Sequence, residues 1–204
     1  KPLIVKGARQ TGKTEAIRHF AKLEYENFIE INFAEQPAYK SIVLNGYNVN
    51  DIIKNISIIN PHVSFPENKT LIFFDELQEC PEIATSLKFF KIDGRFDVIC
   101  SGSMLGINYS RIESNSVGYK VDYQLQSLDF EEFLWAKGYD DRISDDMFQH
   151  IIDCKPFSQL EHDTYMTLFR DYFILGGMPE IVKTFLINGS FAGILDMQRQ
   201  LVLD

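Results

Sequence analysis

The sequence predicts an α/β fold, a parallel sheet flanked by helices, followed by a small all-helical segment. Three observations predict it. Short apolar runs alternate with amphipathic helical stripes over the first two thirds of the chain. The run Leu71-Ile72-Phe73-Phe74 is wholly apolar, as in a strand buried on both faces. Beyond about Leu125 strand-like runs cease and helical spacing remains.

In order, Pro2-Leu3-Ile4-Val5 reads as a strand that runs into a glycine-containing loop. Ala16, Ile17, Phe20 and Leu23 recur at helical spacing, and Phe28 to Phe33 reads as a second strand. Val49, Ile52, Ile53, Ile56 and Ile59 form a helical stripe closed by Asn60-Pro61. The strand at 71–74 precedes a helix marked by Ile83, Leu87 and Phe90. Phe96 to Cys100 reads as a fourth strand, followed by Ser101-Gly102-Ser103, and the alternation from Tyr119 to Leu125 as a fifth. Asp129 with Glu132 forms a capping-box start for a helix through Phe133, Leu134 and Trp135. Met147, Ile151 and Ile152 form one later stripe, and Leu168, Phe169, Tyr172 and Phe173 another. Gly176-Gly177 reads as a helix stop, and Pro179 as the start of the next helix. The expected division is a core at 1–126 and a helical part at 127–204. The last stripe runs through Val202 to Asp204 without a stop signal, so further chain is expected to follow.

Composition narrows the function classes. The chain has 204 residues, 45% hydrophobic and 24% charged, a balance that excludes intrinsic disorder as the main state. The net charge of −9 argues against a broad nucleic-acid-binding face. Charge is unevenly placed: residues 1–22 carry six bases and one acid, whereas 129–163 carry ten acids and three bases. The acidic run reads as a solvated face. No apolar run approaches the roughly 18 residues of a membrane helix, so no membrane association is expected. Cys80, Cys100 and Cys154 show no CxxC pairing and are expected as small buried hydrophobes. The four histidines show no metal-ligand spacing. Reduced thiols and the lack of a leader-like segment point to the cytoplasm.

Gly7-Ala8-Arg9-Gln10-Thr11-Gly12-Lys13-Thr14 fits G-x-x-x-x-G-K-[ST] at every position. Glycines let such a loop wrap tightly, so that backbone N–H groups converge on phosphate oxygens. The helix that follows presents its positive end to the same anion. Lys13 then reaches the β- and γ-phosphates of a nucleotide, and the Thr14 hydroxyl ligates Mg²⁺. A chance match in a chain of this length is on the order of 1 in 100 at ordinary glycine usage. Without ligand, Lys13 is expected to project into solvent.

Asp75 and Glu76 follow the apolar strand directly, at the end where open α/β sheets place ligands. Asp75 suits the Mg²⁺ shell, and Glu76 suits a base that polarises water. Ser103 has two readings, a contact to the γ-phosphate or its water, and a turn serine bonded to its own backbone. Ser101 fits the turn reading better. The guanine-reading NKxD pattern is absent, since Asn68-Lys69 is followed by Thr70-Leu71. ATP is therefore the expected nucleotide.

On these residues the chain resembles the predicted AAA+ superfamily ATPases of bacteria and archaea that carry a C-terminal domain of unassigned function. The resemblance rests on the loop at 7–14, on Phe74-Asp75-Glu76-Leu77-Gln78 and on Ser101-Gly102-Ser103. It extends to Ser127-Leu128-Asp129-Phe130-Glu131-Glu132-Phe133-Leu134 and Gly176-Gly177-Met178-Pro179-Glu180. It implies a P-loop AAA+ core sheet with a helical lid, a further C-terminal domain, and ATP binding with hydrolysis. Relatives carry Gly-Arg before the fifth strand, where this chain has Gly118-Tyr119-Lys120. If that arginine acts on a phosphate, its role here is empty or falls to Lys120 or Arg111.

Two function classes follow. One is a Mg²⁺-dependent ATPase whose hydrolysis drives a conformational change, with Glu76 as base. The other is a nucleotide-gated interaction module with little turnover. A small-molecule phosphotransferase is weaker, because no acceptor site is legible. The expected partners are ATP and either another protein or the chain's own C-terminal domain, with self-association open.

Overall fold

The computed structural model of the protein describes residues 1–103 and 118–203; for Ser103, Val202 and Leu203 only the backbone is described. The chain divides into two compact units, Lys1–Leu125 and Gln126–Asp204.

The first unit is built on five parallel strands, β1 (Leu3–Gly7), β2 (Asn27–Asn32), β3 (Thr70–Asp75), β4 (Asp97–Ser103) and β5 (Val121–Gln124). Their order across the sheet is β2-β3-β4-β1-β5, so β4 stands between β1 and β3. Every residue of β3 is buried, as its unbroken apolar run requires. Its side chains alternate between two cores. Ile72 and Phe74 join the cluster formed with α2 (Val49–Ile59) and α3 (Ile83–Asp93). Leu71 and Phe73 join the cluster on the other face, with Ile17 and Ala21 of α1 (Lys13–Glu24). The aromatic rings interlock: Phe33 stacks on Phe74 at 5.7 Å between centroids.

Three local features differ from the sequence reading. In α1 the buried residues are Ile17 and Ala21, while Phe20 and Leu23 are exposed. Ala21 has the small side chain that lets a helix lie close on a sheet, and Phe20 packs edge-on against Tyr25 instead. The strand expected to end at Cys100 continues through Ser103, because parallel pairing with β1 persists as far as Gly7 opposite Ser103. Residues Pro37–Val43 form a 3-10 stretch burying Tyr39, Ile42 and Val43, an element without helical periodicity to announce it.

The second unit is helical. It comprises α4 (Phe130–Ala136), α5 (Asp141–Ile152), α6 (Gln159–Leu175), α7 (Pro179–Asn188) and α8 (Ile194–Leu203). The Asp129–Glu132 capping box forms as the sequence implies, and Ser158 with Glu161 makes a second one at α6. Its core gathers Phe133, Leu175, Ile181, Val182, Phe185 and Ile194. Gly176 ends α6 at φ 69, a left-handed value that favours glycine, and Pro179 opens α7. At Gly177 a Cβ would collide with the Leu128 carbonyl, so the chain passes there only as glycine. Of the two later stripes, Leu168 is buried, while Ile151, Ile152, Phe169 and Phe173 are exposed on this unit. No described helix is long and apolar enough to cross a membrane.

Cys80 and Cys100 are buried, and burial pushes both thiols up, Cys80 to about 11. Cys154 is exposed, against expectation, because it follows the end of α5 rather than facing a core.

Candidate functional site

The loop at 7–14 joins β1 to α1 at the C-terminal end of the sheet. Its backbone needs glycine at two points. A Cβ on Gly7 would run into the Leu125 carbonyl, and Gly12 sits at φ 84 immediately before α1. Gln10 also takes a left-handed conformation, at φ 62. Thr11 is buried and its hydroxyl donates to the Ala8 carbonyl at 3.0 Å, closing the loop on itself.

Lys13 does not project into solvent. It is half-buried, and its ammonium donates to the Gly7 carbonyl at 3.1 Å and the Ala8 carbonyl at 2.6 Å. The loop's carbonyls thus hold the lysine inside its own curve. Burial lowers the Lys13 pKa from its usual value, while the carboxylates of Glu76 and Asp75 pull it upward.

The Thr14 hydroxyl donates to Asp75 Oδ2 at 3.0 Å, linking the loop to the end of β3. Asp75 is buried, and its Oδ1 accepts from the Glu76 backbone N–H at 2.9 Å and from the Ser101 hydroxyl. Three donors from β4, from α1 and from the turn after β3 therefore fix one carboxylate. Ser101, read from the sequence as a turn residue, is a fully buried strand residue. The pairing of Phe74 with Cys100 puts it beside Asp75. The only available signal was a small polar residue at the end of an apolar strand.

Glu76 adopts φ 53 and ψ 51, left-handed for a residue with a Cβ, and begins a short 3-10 turn through Leu77–Glu79. Gln78 in that turn donates to the Glu76 carboxylate. These groups surround a cavity of about 560 Å³ lined by Arg9, Gln10, Gly12, Lys13, Thr14, Asp75, Glu76 and Gln78 among others. Gly7, Ala8 and Thr11 shape the loop behind that lining.

Lys120 lies apart from these groups, before β5. Lys120 Nζ pairs with Asp122 at 2.7 Å, and Lys6 reaches the same carboxylate at 3.1 Å, so Lys120 is held at the sheet edge. Ser103 ends β4 opposite Gly7, its side chain outside the described residues, as is Arg111 entirely. The histidines hold one surprise. His150 stands with Asp146 and Glu161, their ligand atoms within 4.8 Å of one another. Each carboxylate already has a structural partner there: Glu161 caps α6 through the Ser158 N–H, and Asp146 accepts from the Tyr165 hydroxyl.

Chemically, the cavity joins a loop carrying Arg9 and Lys13 to a pair of adjacent acids at one end of the sheet. That combination suits a polyanion on the loop and hydrolytic chemistry beside it.

Comparison with known proteins bears on this geometry. The chain is 23% identical over 179 residues to the uncharacterised protein MJ1544 of Methanocaldococcus jannaschii, covering 87% of this chain. It spans 35% of that relative's length. Among solved structures, Drosophila ORC bound to DNA superposes with a TM-score of 0.49 at 16% identity, covering 97% of this chain and 58% of that one. PCH-2 of C. elegans gives a TM-score of 0.40 at 10% identity, covering 78% of this chain and 42% of that one. The sequence profile of the AAA domain matches residues 1–134, which include the whole loop, both acids and the start of α4. The chain belongs to the AAA domain family.

Proposed function

We propose that the cavity binds ATP with Mg²⁺ and that Glu76 acts as the base in its hydrolysis, in a core followed by a helical lid. The carrying observation is the Thr14–Asp75 hydrogen bond at 3.0 Å, which joins the loop to the acid pair across 61 residues of sequence. Family membership supports nucleotide binding. The Thr14 hydroxyl and Asp75 carboxylate fit a hard divalent cation, which favours oxygen donors. Bound there with ATP, Mg²⁺ would neutralise charge on the β- and γ-phosphates.

The chain's own groups do the rest. Lys13 exchanges two neutral carbonyl acceptors for phosphate oxygens, a stronger charge-assisted contact. The N–H groups of Arg9 to Thr14 converge on the same anion. Glu76 receives a proton from the attacking water at a carboxylate oxygen. Ser103, at the end of β4, is the candidate for contact with the γ-phosphate.

A second reading, nucleotide-gated interaction with little turnover, is favoured by one observation. Tyr119 stands where relatives carry the arginine, and the neighbouring Lys120 is committed to Asp122. An arginine supplied at such a site can contribute roughly 10³–10⁵ in rate. Glu76→Gln separates the readings. Its amide keeps the size and cannot accept the proton, so ATP still binds and turnover falls roughly 10²–10⁴-fold. A variant that hydrolyses ATP at the wild-type rate would leave Glu76 without a catalytic part. A wild type that binds ATP and does not turn it over would establish the second reading.

A further inference from the structure

Gln78 has a place in the site that the loop-and-acid scheme does not use. Its side-chain Nε2–H donates to Glu76 Oε2. Its other end is anomalous: Oε1 is buried and has no hydrogen-bond partner among the described residues. A buried acceptor without a donor is costly. An apolar side chain would fill the same space without that cost. The amide is explained by what its nitrogen holds.

The surroundings are shaped to that amide. The left-handed backbone at Glu76, φ 53, bends the chain into the 3-10 turn that brings Gln78 back over the preceding carboxylate. On the far side lies Gly102 of β4, where a Cβ would stand 2.7 Å from Gln78 Oε1. Gly102 does not have a left-handed φ, so its backbone does not call for glycine. What requires the missing side chain is the room taken by Gln78.

We propose that Gln78 is the positioning residue for Glu76. Its amide occupies one carboxylate oxygen, fixes the plane of the carboxylate, and leaves the other oxygen as the sole acceptor for the water's proton. This rests on the ATPase reading above. The opposite orientation of the amide would set its oxygen against the carboxylate and is excluded by repulsion.

The test uses the whole chain with Gln78→Met and Gly102→Ala. Met retains bulk and loses the donor. Ala at 102 meets only the flexible tip of Gln78 at close range, since its next neighbours, in Leu77, stand at 3.6 Å and beyond. Both variants are expected to melt as the wild type does and to retain ATP binding. Their kcat falls about 10–100-fold, the usual cost of losing an outer-shell partner of a reacting group. Glu76→Gln/Gln78→Met is expected to turn over no more slowly than Glu76→Gln alone, because the amide acts through the carboxylate. A second readout needs no nucleotide. In ¹H–¹⁵N spectra of the free protein, the Gln78 side-chain amide is displaced from ordinary glutamine shifts, and Glu76→Ala returns it to them. Wild-type kcat in Gln78→Met, or an amide signal indifferent to Glu76→Ala, would overturn the proposal. Wild-type turnover in Glu76→Gln would instead remove Glu76 as the base, and no turnover in the wild type would overturn the ATPase reading; either takes this proposal with it.

Discussion

Asp75 shows how one buried carboxylate is made tolerable and useful. It accepts from Ser101, from the Glu76 N–H and from Thr14, so its charge is spread over three donors from separate elements. Ser101→Ala removes one of them and leaves a buried acceptor underused. The expected loss is about 1–3 kcal/mol, or roughly 2–12 °C in melting temperature at this chain length. Calorimetric melting checks it, and an unchanged midpoint would mean the hydroxyl contributes nothing. Residue by residue, the sequence was most legible where chemistry demands a fixed string. Gly7 to Thr14, Asp75 and Glu76 all meet around one loop because their spacing reflects one strand, one turn and one helix start. Ser101 and Gln78 were not legible, since their roles depend on register and on a left-handed turn that no periodicity encodes. Lys13 was misread for the same kind of reason: sequence does not reveal that the loop's carbonyls point at its ammonium.

At the scale of elements, strands were easier to place than faces. The apolar run of β3 announced a central strand, and its alternate residues do enter two cores. Helix faces were less certain, because α1 packs through Ile17 and the small Ala21 rather than through its larger apolar residues. Two contacts that fix elements give tests. Gly177 admits the Leu128 backbone, which bonds back to it at 2.8 Å. Gly177→Ala forces a Cβ into the Leu128 carbonyl and is expected to cost about 1–3 kcal/mol. Faster amide exchange confined to residues 126–204 would report it; unchanged exchange would show that the backbone shifts freely. The edge strand β5 is tied to β1 by Asp122, which pairs with Lys120 and Lys6. Burial pushes the Asp122 carboxyl up, but these ion pairs outweigh it and hold it below the usual 3.8. Its folded pKa is depressed, so the stabilisation is present above pH 3.8 and is lost as pH falls through the lower folded value. Asp122→Asn should therefore be less stable at pH 7 by about 0.5–1 kcal/mol. Acid titration of both proteins should show that gap closing below pH 3.8, and a gap independent of pH would assign it to packing.

For the whole molecule, charge distribution poses the central question. A chain of net charge −9 repels a nucleotide polyanion at long range. Attraction must come from a local concentration of positive groups, and residues 1–22 supply it with six bases against one acid. The cavity holds two of those bases, Arg9 and Lys13, together with the N-terminus of α1. Lys13 carries the largest share of the proposed contact because it stands inside the curve of the loop. The most direct measurement is calorimetric titration of ATP with Mg²⁺ into the wild type and into Lys13→Ala. One site per chain is predicted for the wild type. Loss of a charge-assisted contact of about 1.5–3 kcal/mol should weaken binding roughly 10–150-fold in the variant, with its melting temperature little changed. Equal affinity in the two proteins would contradict the assignment of the loop at 7–14 as the phosphate site.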